Sequence, residues 1–148
     1  AALLALADKW PDDNTRKFLT ERAFQDENAT PRSAALQALA EKWPDDNTLK
    51  FLTERAIQDV NGISRSAALR ALAEKWPDDN TRKFLNKRAI QDENGTLRSA
   101  ALQTLAKKWP DDITRKFITE RARQESAASA GPPAAGRCRH RRDRSAPG

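Results

Sequence analysis

Four tryptophans recur along the chain at a fixed spacing of 33 residues. They are Trp10, Trp43, Trp76 and Trp109. The residues around them repeat too: Glu41–Asp59 reads EKWPDDNTLKFLTERAIQD, and Glu74–Asp92 reads EKWPDDNTRKFLNKRAIQD. A fixed period of this length is typical of stacked supersecondary repeats rather than of one globular core. Because each repeat buries its apolar face only against its neighbours, the sequence predicts a short solenoid, a kind of fold that serves mainly as a binding surface.

Each repeat has the pattern of a helix A, a turn and a helix B. Leu36, Leu39, Ala40 and Trp43 fall at i, i+3, i+4 and i+7, which is one apolar stripe on a helix. Pro44 ends that helix because its ring fixes φ and it lacks an N–H. No strand-like alternation is present, so the fold class is all-α, a solenoid of four helix-turn-helix repeats. The predicted A helices cover 31–43, 64–76 and 97–109, and the predicted B helices cover 47–59, 80–92 and 113–124.

The turns carry residues that cap helices. Thr30 before Pro31 predicts an N-cap with proline at the first helical position of helix A. Asn61-Gly62 is expected to end helix B with a left-handed residue. The large apolar tryptophans are expected to be largely buried between repeats, Trp43 and Trp76 among them. The caps of the B helices are predicted to be the second Asp of each Asp-Asp pair: Asp13, Asp46, Asp79 and Asp112.

The repeat pattern defines the domains. Residues 1–125 form the predicted solenoid, and 126–148, rich in Ala, Gly, Pro, Ser and Arg without periodicity, are predicted to be disordered. The absence of methionine and a start inside a repeat indicate a fragment of a longer array. The predicted repeats cover about 1–31, 32–64, 65–97 and 98–125.

The net charge of +6 is concentrated outside the repeats. Residues 126–148 hold five arginines and one acid, which leaves 22 basic and 20 acidic side chains before them. The repeats are therefore almost neutral, which argues against a nucleic-acid surface. No segment is apolar enough to span a membrane, and no leader is visible. With the single Cys138, which excludes an intrachain disulfide, these features predict a cytoplasmic protein without a membrane partner.

Three recurring features resemble the short bacterial type of HEAT repeat. A proline follows each helix A, an Asp ends helix B, and an Arg opens the next helix A six residues later. The resemblance implies an all-α array in which these Asp and Arg side chains form a ladder, bonding to loop backbone and to neighbouring repeats. The ladder residues are Asp26 with Arg32, Asp59 with Arg65, and Asp92 with Arg98.

The run ALQALAEKWPDD, followed by a Leu-x-x-Arg-Ala helix, also resembles HEAT-like arrays C-terminal to NACHT-type STAND NTPases. In that family an upstream P-loop domain binds the nucleotide, and the repeats sense a partner or restrain the switch. This chain has no Gly-x-x-x-x-Gly-Lys-[Ser/Thr] motif, so the resemblance implies no NTPase activity here. We expect no enzyme, no cofactor and no metal site, since Cys138 and His140 lack a second ligand pair.

A polar stripe on the B helices is the candidate partner-binding face. Lysine recurs at one position of each helix B, with a second charged residue four positions later on the same face. The stripe comprises Lys17, Glu21, Lys50, Glu54, Lys83, Lys87, Lys116 and Glu120. We interpret it as the concave face, holding a protein or peptide. The alternatives are an ordinary solvated face, a nucleic-acid-binding module using Arg16, Arg82 and Arg115, and an enzyme similar to the bilin-lyase HEAT proteins.

Overall fold

The computed structural model describes residues 2–127, and within them every regular element is an α-helix. The all-α prediction is thus confirmed. The last helix, α8, covers 112–127 and therefore includes residues 126 and 127; the rest of the predicted disordered tail lies outside the described residues. The other helices are α1 (Ala2–Lys9), α2 (Asp13–Gln25), α3 (Ala29–Lys42), α4 (Asp46–Gln58), α5 (Gly62–Lys75), α6 (Asp79–Gln91) and α7 (Gly95–Lys108).

The first Asp of each pair caps helix B, and the prediction of the second was wrong. Asp45 has an extended backbone, with φ −105° and ψ 177°, and its carboxylate accepts a hydrogen bond from the Thr48 N–H at 3.0 Å. Its own N–H donates to the carbonyl of Trp43 across Pro44 at 2.8 Å. Asp46 is instead the first helical residue, where its charge favours the positive end of the helix. The same Asp-to-Thr cap recurs at Asp12, Asp78 and Asp111.

The A helices begin two residues earlier than predicted. The N-cap of α5 is Asn61, whose side chain accepts from the N–H groups of Ile63 and Ser64, and Gly62 is the first helical residue. No described residue has a positive φ, so the left-handed end expected at Asn61-Gly62 is wrong. The Asp59 carboxylate instead accepts the Asn61 N–H at 2.9 Å, which turns the chain without it. The α3 helix likewise begins at Ala29 and not after a Thr30 cap.

The described residues divide into two compact units, 2–109 and 110–127. In the first, the A helices α1, α3, α5 and α7 pack one on the next, and each of the B helices α2, α4 and α6 packs on the A helix that follows it. An interior A helix is therefore covered on several sides, which explains why small and apolar residues fill most of α3 and α5. The second unit contains the helix α8.

Leucine and alanine, more than tryptophan, form the core. Trp43 and Trp76, at the C-caps of α3 and α5, are mostly but not fully buried, which agrees with the burial predicted for them. Trp10, in contrast, is 60% exposed. The fully buried leucines include Leu19, Leu36, Leu52, Leu69, Leu85, Leu97 and Leu105.

Candidate functional site

The structure places the ladder residues in contact between repeats. The guanidinium of Arg32 is buried, and its three nitrogens have three different partners. Nη1 donates to the carbonyl oxygen of Asp26 at 2.7 Å, and Nη2 donates to Oδ1 of Asp59, one repeat further on, at 3.2 Å. Nε donates to Oγ of Ser64 at 3.2 Å. One side chain thus joins the turn between α2 and α3 to the turn between α4 and α5, through charge-assisted bonds.

The next contact in this ladder is looser. Nη1 of Arg65 lies 3.6 Å from Oδ2 of Asp92, and the buried Nε of Arg65 has no hydrogen-bond partner. Leu97 explains the difference, because it occupies the position at which the preceding repeat carries the Ser64 hydroxyl. Arg98 closes its own turn, with Nη1 2.7 Å from the carbonyl oxygen of Asp92. The ladder therefore varies in strength along the chain.

A second series of ion pairs, which the sequence analysis missed, crosses the A helices. Near their C-termini α1, α3 and α5 each carry an acid followed by a lysine, and the acid pairs with the second lysine position of the next A helix. The pairs are Asp8–Lys42 at 2.7 Å, Glu41–Lys75 at 3.9 Å and Glu74–Lys108 at 2.7 Å. The recurring acid-Lys dipeptide before each tryptophan was the available signal, with Lys107 replacing the acid in the last repeat.

These surface pairs shift three pKa values. The hydrogen bond to Asp8 raises the pKa of Lys42, and the hydrogen bond from Lys108 lowers the pKa of Glu74. The pKa of Asp45 is lowered, chiefly by the side-chain hydrogen bond from Arg16 and then by the Thr48 N–H. Arg16 reaches Asp45 at 2.7 Å from the preceding helix B. All three groups lie at the solvent, so these pairs fix register more than they add stability.

The predicted partner-binding stripe is exposed on the B helices. Its six members in the first compact unit are all exposed, and within Ala2–Trp109 none of the four lysines pairs with a carboxylate. Lys116 and Glu120 are exposed on α8, where Glu120 pairs with Arg123 at 2.8 Å. The geometry leaves the stripe accessible, and its role remains a prediction. The six are Lys17, Glu21, Lys50, Glu54, Lys83 and Lys87.

A recess lies on the other face, across the A helices. It has a volume of about 470 Å³ and is bordered by all four A helices of the first unit. Its floor is made of small side chains, Ala40, Ala71 and Thr104, and charged residues also line it. We call this surface the A-helix groove; its charged residues are Glu41, Arg70, Glu74, Lys75, Lys107 and Lys108.

The A-helix groove results directly from the repeat. Since the A helices pack one on the next, residues at equivalent positions of successive repeats, such as Glu41, Glu74 and Lys107, border the same recess. The small side chains of Ala40 and Ala71 lie among the longer side chains that line it. The sequence predicts the concave binding face on the B helices, whereas the recess in the structure lies on the A helices.

Other kinds of site receive no support from the described residues. Within residues 2–127, no group of three or more His, Cys, Asp or Glu side chains is arranged to hold a metal ion. None of the helices in that range combines the length and the apolar character that crossing a bilayer requires. His140 and Cys138 lie outside the described residues. No protein-family model matches the chain, and neither the curated proteins nor the solved structures searched include a match.

Proposed function

We propose that the chain is a non-catalytic scaffold that binds a protein or peptide partner along its array of helices. The observation that carries this proposal is the A-helix groove, an open channel bordered by the A helices of four repeats and edged with exposed charges. Such a surface offers an extended ligand many modest contacts in series, as repeat arrays commonly do. The periodic ion pairs beside it hold the helices in register, which keeps the channel preorganised for a ligand.

The finer identity is part of the same proposal. We infer that the helices form a solenoid of HEAT-like repeats and that the array belongs to the sensor region of a larger cytoplasmic STAND-type NTPase. The Asp–Arg contacts between repeats support the HEAT-like assignment, because they join the residues that the resemblance names. The STAND context rests on the ALQALAEKWPDD resemblance alone. A pull-down of a peptide ligand by the chain, with and without an upstream NTPase domain, tests it.

A peptide-display selection tests the binding function. Peptides enriched on the chain are expected to lose binding to Gln103→Trp, since Gln103 is exposed and lines the A-helix groove. They are expected to keep binding to the double variant Lys50→Glu and Lys83→Glu, which alters the B helix stripe. The opposite result places the ligand on the B stripe, and a selection that enriches no peptide above background refutes the binding function.

A further inference from the structure

We infer that the A-helix groove takes an extended acidic segment of the partner and that Arg70 and Lys107 receive its carboxylates. This inference rests on the proposed function and specifies the chemistry of the ligand. It follows from two departures from the repeat, which lie on the same recess and change the charge in the same direction.

Both residues break a pattern that the other repeats keep. Arg70 occupies the position of Gln37 and Gln103 in the adjacent repeats. Lys107 occupies the position at which the three earlier repeats carry an acid. Neither departure serves the core, because both side chains are exposed. A packing requirement therefore does not account for them, and each adds positive charge to the groove.

The remaining charges of the groove neutralise one another. Glu41 pairs with Lys75, and Glu74 pairs with Lys108 at 2.7 Å, which is the main cause of the lowered pKa of Glu74. Lys107 lowers the pKa of Glu74 only through a smaller long-range effect. In residues 2–109 neither Arg70 nor Lys107 forms an ion pair of its own. The groove therefore presents two cations available to a ligand.

The positions of these cations set the form of the ligand. Lys107 lies one helix across from Arg70 and, being four residues after the counterpart Gln103, about one turn further along. With about 9 Å between packed helices and about 5 Å per turn, the two Cα positions are roughly 10 Å apart. A polyproline II segment rises about 3.1 Å per residue and returns to the same face every third residue. Two acids three positions apart would thus face both cations.

The groove suits a peptide better than a nucleic acid. A phosphate backbone places negative charge continuously along its path, whereas the groove offers it only two unpaired cations, Arg70 and Lys107, within residues 2–109. The floor of Ala40 and Ala71 offers apolar contact to a peptide backbone and its methyl or methylene groups. Two separated cations beside an apolar floor match two separated carboxylates on a chain of mixed polarity.

The test measures fluorescence anisotropy with a labelled peptide of proline and alanine that carries two glutamates three positions apart. The variants are Arg70→Gln and Lys107→Glu, which install residues that the chain itself carries at the equivalent positions. We expect each to weaken binding about tenfold at physiological ionic strength, as loss of a charge-assisted contact does. Matched controls are Lys50→Gln and Lys83→Glu, which make the same charge changes on the B stripe and should leave affinity unchanged.

Three results of the anisotropy assay would overturn the inference. They are equal weakening by the control variants, equal binding of a peptide with glutamine in place of both glutamates, and tighter binding of single-stranded DNA through the same two residues. Far-UV circular dichroism shows whether each variant keeps its helices, and both substitutions are at exposed sites. If the display selection yields groove-dependent peptides without acidic residues, the proposed function stands and only this inference fails.

Discussion

Asp59→Ala is the substitution that best isolates the ladder between repeats. Asp59 is 5% exposed. Its carboxylate accepts one hydrogen bond from Nη2 of Arg32 at 3.2 Å and another from the Asn61 N–H at 2.9 Å. Removing it leaves the buried Arg32 guanidinium with two neutral acceptors and no counter-charge. Breaking a buried ion pair from one side costs about 3–5 kcal/mol. We therefore expect the free energy of unfolding to fall by about 4 kcal/mol, a large share of the stability of a small domain.

Asp26→Ala is the matched control. Asp26 holds the equivalent position one repeat earlier, and its carboxylate accepts the Asn28 N–H at 3.0 Å in the same kind of turn. Within residues 2–127 the Asp26 carboxylate forms an ion pair only with Arg22 of the preceding helix, whose Nη1 lies 3.7 Å from Oδ2. The bond from Arg32 Nη1 goes to the Asp26 backbone and survives the substitution. Loss of the turn contact alone should cost about 1 kcal/mol.

Urea unfolding followed by circular dichroism at 222 nm measures both changes. With an m value near 2 kcal/mol/M, Asp59→Ala should lower the midpoint by roughly 2 M and Asp26→Ala by roughly 0.5 M. A double-mutant cycle with Arg32→Met then isolates the pair, with an expected coupling of about 2 kcal/mol, because the methionine keeps the stem and removes the charge. Equal costs for the two alanine variants, or a coupling near zero, would refute the view that Arg32 and Asp59 hold the repeats together.

Three further predictions concern single contacts. Ser64→Ala removes the buried hydroxyl that accepts from Arg32 Nε and should cost about 1–2 kcal/mol by urea denaturation. Arg16→Leu should raise the pKa of Asp45 toward its ordinary 3.8 in an NMR titration, since Arg16 is the main cause of the lowering. In the wild type, the lowered pKa of Asp45 adds to the free energy of unfolding above pH 3.8, and this contribution is lost as the pH falls through the lower folded-state pKa. The variant lacks the contribution. Trp43→Ala should cost about 2–3 kcal/mol, less than a fully buried tryptophan, because Trp43 is not fully buried.

The elements were predictable from the sequence because the signals for them are local. Pro44 after the apolar stripe and the Asp-Asp pair after the proline placed each A–B turn to within two residues. The identity of the capping Asp was not predictable in the same way. Both aspartates recur in every repeat, and only the extended backbone of the first one brings its carboxylate to the Thr48 N–H.

The start of the A helices was mistaken for a similar reason. Pro31 suggested a first helical position, but proline is tolerated anywhere in the first turn, where N–H groups have no intrahelical partner. Asn61, interpreted as the end of a B helix, is the cap of the next A helix, and Asn94 caps α7 in the same way. The turn is closed by a carboxylate that accepts an N–H two residues on, a short-range contact that composition does not reveal.

The candidate site was harder to predict than the fold because it depends on which helices lie side by side. A stripe with helical spacing on the B helices can be found from the sequence alone. The A-helix groove, in contrast, exists only once four A helices pack together. The pairs Asp8–Lys42 and Glu74–Lys108 also join residues 34 positions apart, one more than the repeat length. Comparing each position with its counterpart in the next repeat was therefore not enough to find them.

Departure from the repeat becomes informative only when it is combined with exposure. In an array of near-identical repeats, a side chain that makes the same structural contact in every repeat recurs at the repeat spacing. Residues that recur in this way are explained by packing and capping. Ser64 also departs from the pattern, but it is fully buried and its hydroxyl serves Arg32, which makes it structural. Arg70 and Lys107 depart from the pattern at exposed positions and pair with no carboxylate in residues 2–109. We propose a ligand outside the array as the partner of these charges, and this is why we assign recognition to them rather than to the recurring lysines of the B helices.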